Sequence, residues 1–315
     1  MSERLSSFEG VVGHSLSEED KENILAEAEG RFADQAMAGL KAEREKIPEE
    51  IHIIDYVNRS TDELRRGYGL PEFRVPPENI HVVPAEEWPR RGSDAMFSPM
   101  HQAVVLSDTD VKVMFAKKVF HELIHFKSYG ALQFHKEKDE VSEYRCGLVV
   151  RPRGDTTGRF FVALNEGVTE ELTKRLLLGM RDDEAVATEV AETERIRSAY
   201  PDAIDGDGHP FFTSDTYFAE ETGRENGKVA LGGEDFTKKK ERRVVGELTL
   251  KLFERNPGSF ETKEDVFQEF VRAMFTGHIL RVARLVDGTF GKGTFRRIGE
   301  LDRDLDELER FVDSL

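Results

Sequence analysis

The stretch DVKVMFAKKVFHELIHFKS, residues 110–128, decides how this chain folds. It contains neither Gly nor Pro and places apolar groups on nearly every face of a helix, which predicts a helix enclosed by other elements. The same helix carries His121, Glu122 and His125 in the pattern HELIH. Because residues i and i+4 lie one above the other on a helix, both imidazoles can reach one metal ion while Glu122 lies beside it.

Two interpretations of this turn are open. Burying unpaired polar and charged groups costs free energy, so three of them on one enclosed turn are best explained by a bound cation. The alternative is a pair of core histidines with ordinary hydrogen-bond partners. We expect the metal site.

A catalytic zinc site needs a third protein ligand and one open position. The sequence after His125, FKSYGALQFH, does not place a histidine at the spacing of the metzincin pattern, so the third ligand is expected on another helix. NEGVTE at 165–170 supplies Glu166 as that ligand. Glu170, one turn later, is expected to orient a ligand histidine through its second ring nitrogen. The alternative is that both are N-terminal carboxylates favoured by the helix dipole.

The rest of the chain predicts mixed α and β structure. Strands are expected at 51–57, 79–84, 101–108, 144–152 and 158–165. Helices are expected at 17–46, ending at Pro48, and at 60–69, 110–128, 166–179 and several places in 241–315. The last helix is predicted from apolar residues at three- and four-residue spacing, namely Ile298, Leu301, Leu305, Leu308 and Val312. We divide the chain into a core at 1–180, a polar insertion or loop region at 181–240, and a helical region at 241–315 that packs on the core.

HELIH at 121–125, followed by ALNEGVTEEL at 163–172, resembles the gluzincin group of zinc metallopeptidases. The long separation between the two motifs is more like that of compact, single-domain minigluzincins. The resemblance covers residues 95–180. It implies an α+β, zincin-like core in which a mixed sheet with an edge strand packs on the active-site helix, and AVVLS at 103–107 is expected to be the edge strand to which an extended peptide adds.

The resemblance also assigns roles to the site residues. His121, His125 and Glu166 would hold Zn²⁺, Glu122 would be the general base, and Glu170 would orient a ligand. Such enzymes use a downstream Tyr, His or Arg to stabilise the tetrahedral oxyanion. Three residues of these types are candidates here, and no motif selects among them: Tyr217, His209 and Arg242.

Charge and cysteine content narrow the range of partners. The chain has 45 Lys and Arg against 62 Asp and Glu, a net charge of −17, which repels nucleic-acid phosphates and anionic membranes. Cys146 is the single cysteine, is expected to be a buried thiol, and fits a reducing compartment. No apolar run is long enough for a membrane span. We expect a cytoplasmic protein that acts on a peptide or an unfolded protein segment, and no pattern predicts its oligomeric state.

Three functions compete. The leading hypothesis is a zinc metallopeptidase that hydrolyses peptide bonds through a metal-activated water, with Glu122 as general base. The alternative is a catalytically inactive zincin-fold binding or regulatory module. The third is a carboxylate-bridged di-iron protein, which would use Glu122 and His125 as an ExxH motif and needs a second helical ExxH. The other instances, 49–52 and 78–81, follow prolines and are expected to run into strands.

Overall fold

The chain, described from a computed structural model, is an α+β fold with mixed sheets. The structure describes residues 6–13, 16–34, 43–88, 92–152, 158–225 and 228–315. Its strands, β1 to β9, are Phe8–Val12, Ile80–Val83, Ala95–Ser98, Ala103–Ser107, Gly130–His135, Glu140–Cys146, Val149–Val150, Thr216–Glu225 and Lys228–Asp235. Its helices, α1 to α10, are Glu18–Asp34, Pro48–Gly67, Lys112–Lys127, Val162–Gly179, Ala187–Ala199, Lys239–Arg255, Lys263–Thr276, Ile279–Phe290, Thr294–Glu300 and Leu305–Ser314.

The helix predicted from the HELIH stretch is confirmed as α3, and it lies between two apolar clusters. On one side it packs with α2, β2 and β4, where Val119, Phe120 and Leu123 are fully buried. On the other side Ile124 belongs to a second cluster formed by α4 and the helices that follow it. Apolar residues on nearly every face therefore correspond to packing on nearly every face.

The three-stranded sheet beside α3 has the order β2-β4-β3, with β2 parallel and β3 antiparallel to β4. The prediction that 103–107 is the edge strand is therefore wrong, because β4 has a partner on each side. All five of its residues are buried, as expected for a central strand. The edge strands are β2 and β3, and β3 is a four-residue strand in a segment where no strand was predicted.

A single helix, α2, occupies the region where a strand at 51–57 was predicted. Ile53, Ile54, Val57 and Thr61 are all fully buried, and their spacing of one, three and four residues marks one helix face. The β-branched composition suggested a strand, but this packing outweighs it. Pro48 is the first residue of α2, where the proline's lack of a backbone N–H costs no hydrogen bond. The prediction that Pro48 ends a helix that begins at residue 17 is therefore wrong. That earlier helix, α1, is described to Asp34; residues 35–42 lie outside the described ranges.

The prediction of a strand at 158–165 is wrong. Phe160 makes only an isolated bridge to Val150, and α4 begins at Val162. The carboxylate of Asp302 accepts the backbone N–H groups of Val162 and Ala163 and so caps the helix. This cap comes from a residue distant in sequence, which explains why no local signal marks the helix start. The segment between the two strands predicted at 144–152 and 158–165 lies outside the described residues.

The last two predicted regions contain regular secondary structure in the residues that the structure describes. Residues 181–240 contain α5 and the hairpin β8–β9. The helical character of 241–315 is confirmed, and α6 packs against α4. The single terminal helix predicted there is two helices, α9 and α10, because Asp304 caps a new start by accepting the N–H of Glu307 over 2.9 Å. Among the described helices, none is long and apolar enough to cross a membrane.

Candidate metal centre

Helices α3 and α4 bring the three predicted ligand residues together. Nε2 of His121 lies 3.2 Å from Nε2 of His125. The carboxylate of Glu166 lies 3.4 Å from Nε2 of His125 and 3.7 Å from Nε2 of His121. Zinc bonds of about 2.0–2.1 Å in tetrahedral geometry place the ligand atoms about 3.3 Å apart. The two imidazoles and the carboxylate therefore match both the chemistry and the spacing of a zinc donor set.

Glu170 lies behind His121, on the side away from the other ligands. Its Oε2 is 2.7 Å from Nδ1 of His121, and its side chain is fully buried. The other oxygen, Oε1, accepts the backbone N–H and the hydroxyl of Thr237, each at 2.8 Å, and lies 3.1 Å from Nζ of Lys117. A ring that donates its Nδ1 proton to a carboxylate keeps the lone pair of Nε2 for a metal. The position predicted for Glu170 from its i+4 spacing is the one observed.

Asn165 contacts His125 in a similar way, a role that no sequence pattern predicted. Its Nδ2 lies 3.3 Å from Nδ1 of His125, and its Oδ1 accepts the backbone N–H of Leu148 over 2.8 Å. The residue is almost fully buried. Asn165 immediately precedes Glu166, but an asparagine near the start of a helix also suits capping, so the sequence alone could not select this role.

Glu122 lines the same cavity as the three candidate ligands. The metal-site cavity, defined here by the space in front of His121, Glu122, His125 and Glu166, has a volume of about 450 Å³ and is walled on one side by β3. Burial raises the pKa of Glu122 to about 7, partly offset by the neighbouring His121 and by the backbone of Phe97. A carboxylate with such a pKa can both take and return a proton near neutral pH.

The two histidines have opposite pKa shifts. Burial lowers the pKa of both rings, and for His125 it takes the value to about 4. For His121 the nearby carboxylates of Glu166 and Glu170 outweigh burial and raise the pKa to about 10. Burial opposes ionisation of Glu166, but the imidazoles hold its pKa well below the usual range. The ring of His121 is therefore the charged imidazole of the metal-free cluster, and it lies between the carboxylates of Glu166 and Glu170.

Cys146 also lines the metal-site cavity, and its side chain is partly buried. Its Sγ lies 3.8 Å from the backbone oxygen of His125. Burial raises its pKa well above the ordinary value, so the thiol stays protonated. The prediction of a buried thiol therefore holds only in part, because the residue keeps some exposure to the cavity.

The three candidates for oxyanion stabilisation do not line the metal-site cavity. The ring of Tyr217 packs on Phe236 with ring centroids 4.8 Å apart. Arg242 forms an ion pair with Asp215, and His209 is 76% exposed on a surface turn. The cations that do line the cavity are Arg159 and Lys238, and Nζ of Lys238 lies 3.4 Å from Oε2 of Glu166.

The ExxH instances outside α3 do not approach this centre. His52 lies on helix α2, so the expectation that 49–52 runs into a strand is wrong. Nε2 of His52 nevertheless lies 2.9 Å from the carboxylate of Asp183 and is not available to the metal centre. His81 lies on β2, with Nδ1 2.9 Å from Glu43. Each imidazole is held by another carboxylate, which removes the second ExxH that a di-iron site requires.

A second group of possible ligands, Asp205, Asp207 and His209, is exposed. Oδ1 of Asp205 accepts the backbone N–H groups of Asp207 and His209 at 2.9 and 2.8 Å. These are the hydrogen bonds of a local turn, and they account for the arrangement without a ligand.

Comparison of the chain with protein-family models, with curated proteins and with solved structures gave no significant match.

Proposed function

We propose that the protein is a zinc-dependent peptidase with a zincin-like core. The observation that carries the proposal is the tetrahedral spacing of the ligand atoms of His121, His125 and Glu166 beside a buried Glu122, all at one cavity. A bound Zn²⁺ would supply a Lewis acid that polarises a substrate carbonyl and lowers the pKa of water. The remaining chemistry belongs to groups of the chain.

Glu122 is the proton-transfer group of this mechanism. Its carboxylate takes a proton from the attacking water and passes it to the departing amide nitrogen, which requires a pKa near neutrality. Glu170 and Asn165 hold the two imidazoles so that both Nε2 atoms point into the cavity. Peptide-bond hydrolysis is the reaction that this set of groups supports best.

Strand β3 is the proposed binding edge for an extended substrate. It pairs with β4 on one side, and no second partner strand occurs in the part of the chain that the structure describes. Ala95 to Ser98 line the metal-site cavity, so a peptide that adds to this edge passes in front of the ligands. We therefore propose a peptide or an unfolded protein segment as substrate. From the net charge of −17 and the single cysteine we propose that the protein acts in the cytoplasm, with neither nucleic acid nor membrane as partner.

Metal analysis and cleavage assays test the proposal together. We expect the wild type to hold one zinc per chain and His125→Ala to hold none. His135→Ala is the matched control, because His135 contacts Ser142 on the β5–β6 pair, and it should keep its zinc. Glu122→Gln should keep zinc and lose cleavage of a mixed fluorogenic peptide library. Absence of zinc in the folded wild type would contradict the metal site.

The alternative function, a zinc-binding module without turnover, has one observation in its favour. Tyr217, His209 and Arg242 all lie away from the metal-site cavity. Under this alternative, wild type and Glu122→Gln would hold zinc equally and both would fail to cleave the library. The comparison of these two proteins therefore separates the functions.

A further inference from the structure

Lys238 occupies an unusual position between the hairpin β8–β9 and helix α6. Its backbone φ is +54°, in the left-handed region that non-glycine residues seldom adopt. The preceding Thr237 is fixed by its two hydrogen bonds to Glu170, and the carbonyl of Lys238 accepts the N–H of Arg242 over 2.9 Å. Residues held in such conformations concentrate at functional sites.

The side chain of Lys238 points into the metal-site cavity, in contrast to its basic neighbours. Lys239 lies 2.8 Å from Asp235, and Lys240 pairs with Asp306. Arg242 and Arg243 are paired with other acidic residues outside the cavity. The one ion pair of Lys238 among the described residues is with Glu166, which is itself a candidate metal ligand.

A metal ion would change the charge balance that Lys238 experiences. A divalent cation held by Glu166 would neutralise the carboxylate and would repel the nearby ammonium. The ammonium sits on a flexible four-carbon stem and the side chain is 40% exposed, so the ammonium can turn towards another anionic oxygen in the cavity.

We propose that Lys238 stabilises the oxyanion that forms when a substrate carbonyl is attacked in this cavity. The inference rests on the proposed peptidase function. Attack forms a bond from the water oxygen to the carbonyl carbon, moves the π pair onto the carbonyl oxygen, and transfers the water proton to Glu122. When the intermediate collapses, the electron pair on the oxygen re-forms the carbonyl and the C–N bond breaks. Glu122 then passes its proton to the departing nitrogen. Lys238 contributes charge to the oxyanion and loses no proton.

The proposal predicts two effects of opposite sign for Lys238→Met. Zinc affinity should rise about two- to fivefold, because an ammonium that competes for Glu166 is removed. Affinity of the zinc-loaded protein for inorganic phosphate, a small tetrahedral oxyanion, should fall about tenfold or more, because a charge-assisted hydrogen bond is lost. A general folding defect would weaken the binding of zinc and of phosphate alike, so it cannot produce a rise in one affinity and a fall in the other.

Isothermal titration calorimetry of zinc into the metal-free protein, and of phosphate into the zinc-loaded protein, measures both effects. Lys238→Arg keeps the charge and should bind zinc and phosphate with affinities close to those of the wild type. Lys239→Met is the matched control, since its ammonium pairs with Asp235, and should change neither. Unchanged phosphate affinity in Lys238→Met, with zinc bound in the wild type, would overturn this inference alone. A wild type without zinc would overturn the inference together with the proposed function.

Discussion

Oε2 of Glu170 accepts a hydrogen bond from Nδ1 of His121 over 2.7 Å, and this contact joins α4 to α3 at the metal centre. The second oxygen of the same carboxylate is held by Lys117 and Thr237. These partners outweigh the burial of Glu170 and hold its pKa well below the usual range. Glu170 is therefore charged, fixed in place, and able to set the orientation of His121.

Glu170→Gln should weaken zinc binding about 10- to 100-fold while the chain stays folded, because an amide orients His121 less firmly and removes a negative charge. Competition against a chromophoric chelator measures the affinity. Glu171→Gln is the control, since Glu171 is bound to Arg175 and Arg242 and not to a candidate ligand. Equal affinities for zinc in Glu170→Gln and wild type would show that this contact does not support the metal.

Gly167→Ala should destabilise the protein and weaken zinc binding. A Cβ on Gly167 would collide with the backbone carbonyl of Glu241, where α4 and α6 approach closely, so one helix must shift. Glu166 is the adjacent residue and would move with α4. We expect a loss of about 1–3 kcal/mol in the free energy of unfolding, measured by urea denaturation.

Gly246→Ala is the matched control for this close approach. Gly246 lies inside α6, is exposed, and a Cβ there meets no atom within 4 Å. Alanine should therefore stabilise the helix by about 0.5–1 kcal/mol. If both substitutions stabilised the protein, helix propensity and not the contact between α4 and α6 would explain the result.

Sequence patterns predicted the parts of the site that depend on local periodicity. The i+4 spacing in HELIH places His121 and His125 on one face of α3, and the same spacing places Glu166 and Glu170 on one face of α4. Such relationships need only a helix. For the same reason the C-terminal region was recognised as helical.

Contacts between distant segments were not predictable in this way. Lys238 reaches Glu166 only because the hairpin β8–β9 returns the chain to α4, and Asp302 caps α4 across a long stretch of sequence. The strand predicted at 51–57 failed for a related reason: β-branched residues suit a strand, but here one face of them is buried against α3. Tertiary packing decided these cases.

Asn165→Ala should affect both stability and zinc binding. It leaves the buried N–H of Leu148 without its acceptor, which costs about 1–3 kcal/mol of unfolding free energy, and it removes the neighbour of Nδ1 of His125. We expect zinc affinity to fall about tenfold or more. Asn165→Asp keeps an acceptor for Leu148 and should retain most of the stability. Thermal denaturation of the metal-free variants, with the chelator competition, separates the two effects.

Lys127, at the end of α3, forms a buried ion pair that should control stability. Its Nζ lies 2.8 Å from Asp62 and 3.0 Å from the carbonyl of Asn58, and the side chain is fully buried. Lys127→Met leaves the carboxylate of Asp62 buried without its cation, which should cost about 3–5 kcal/mol. Adding Asp62→Asn should recover part of this loss. Urea denaturation at pH 7 measures both variants.

The same pair predicts a pH dependence. Burial lowers the pKa of Lys127 from 10.5 to about 8, although Asp62 opposes the shift. Between those two values the unfolded chain binds more protons than the folded chain, so stability rises with pH in this window. Relative to Lys127→Met, the wild type should gain about 3 kcal/mol between pH 8 and pH 10.5. A difference between the two proteins that stays constant over this range would mean that Lys127 titrates normally and that its ammonium is not desolvated in the folded chain.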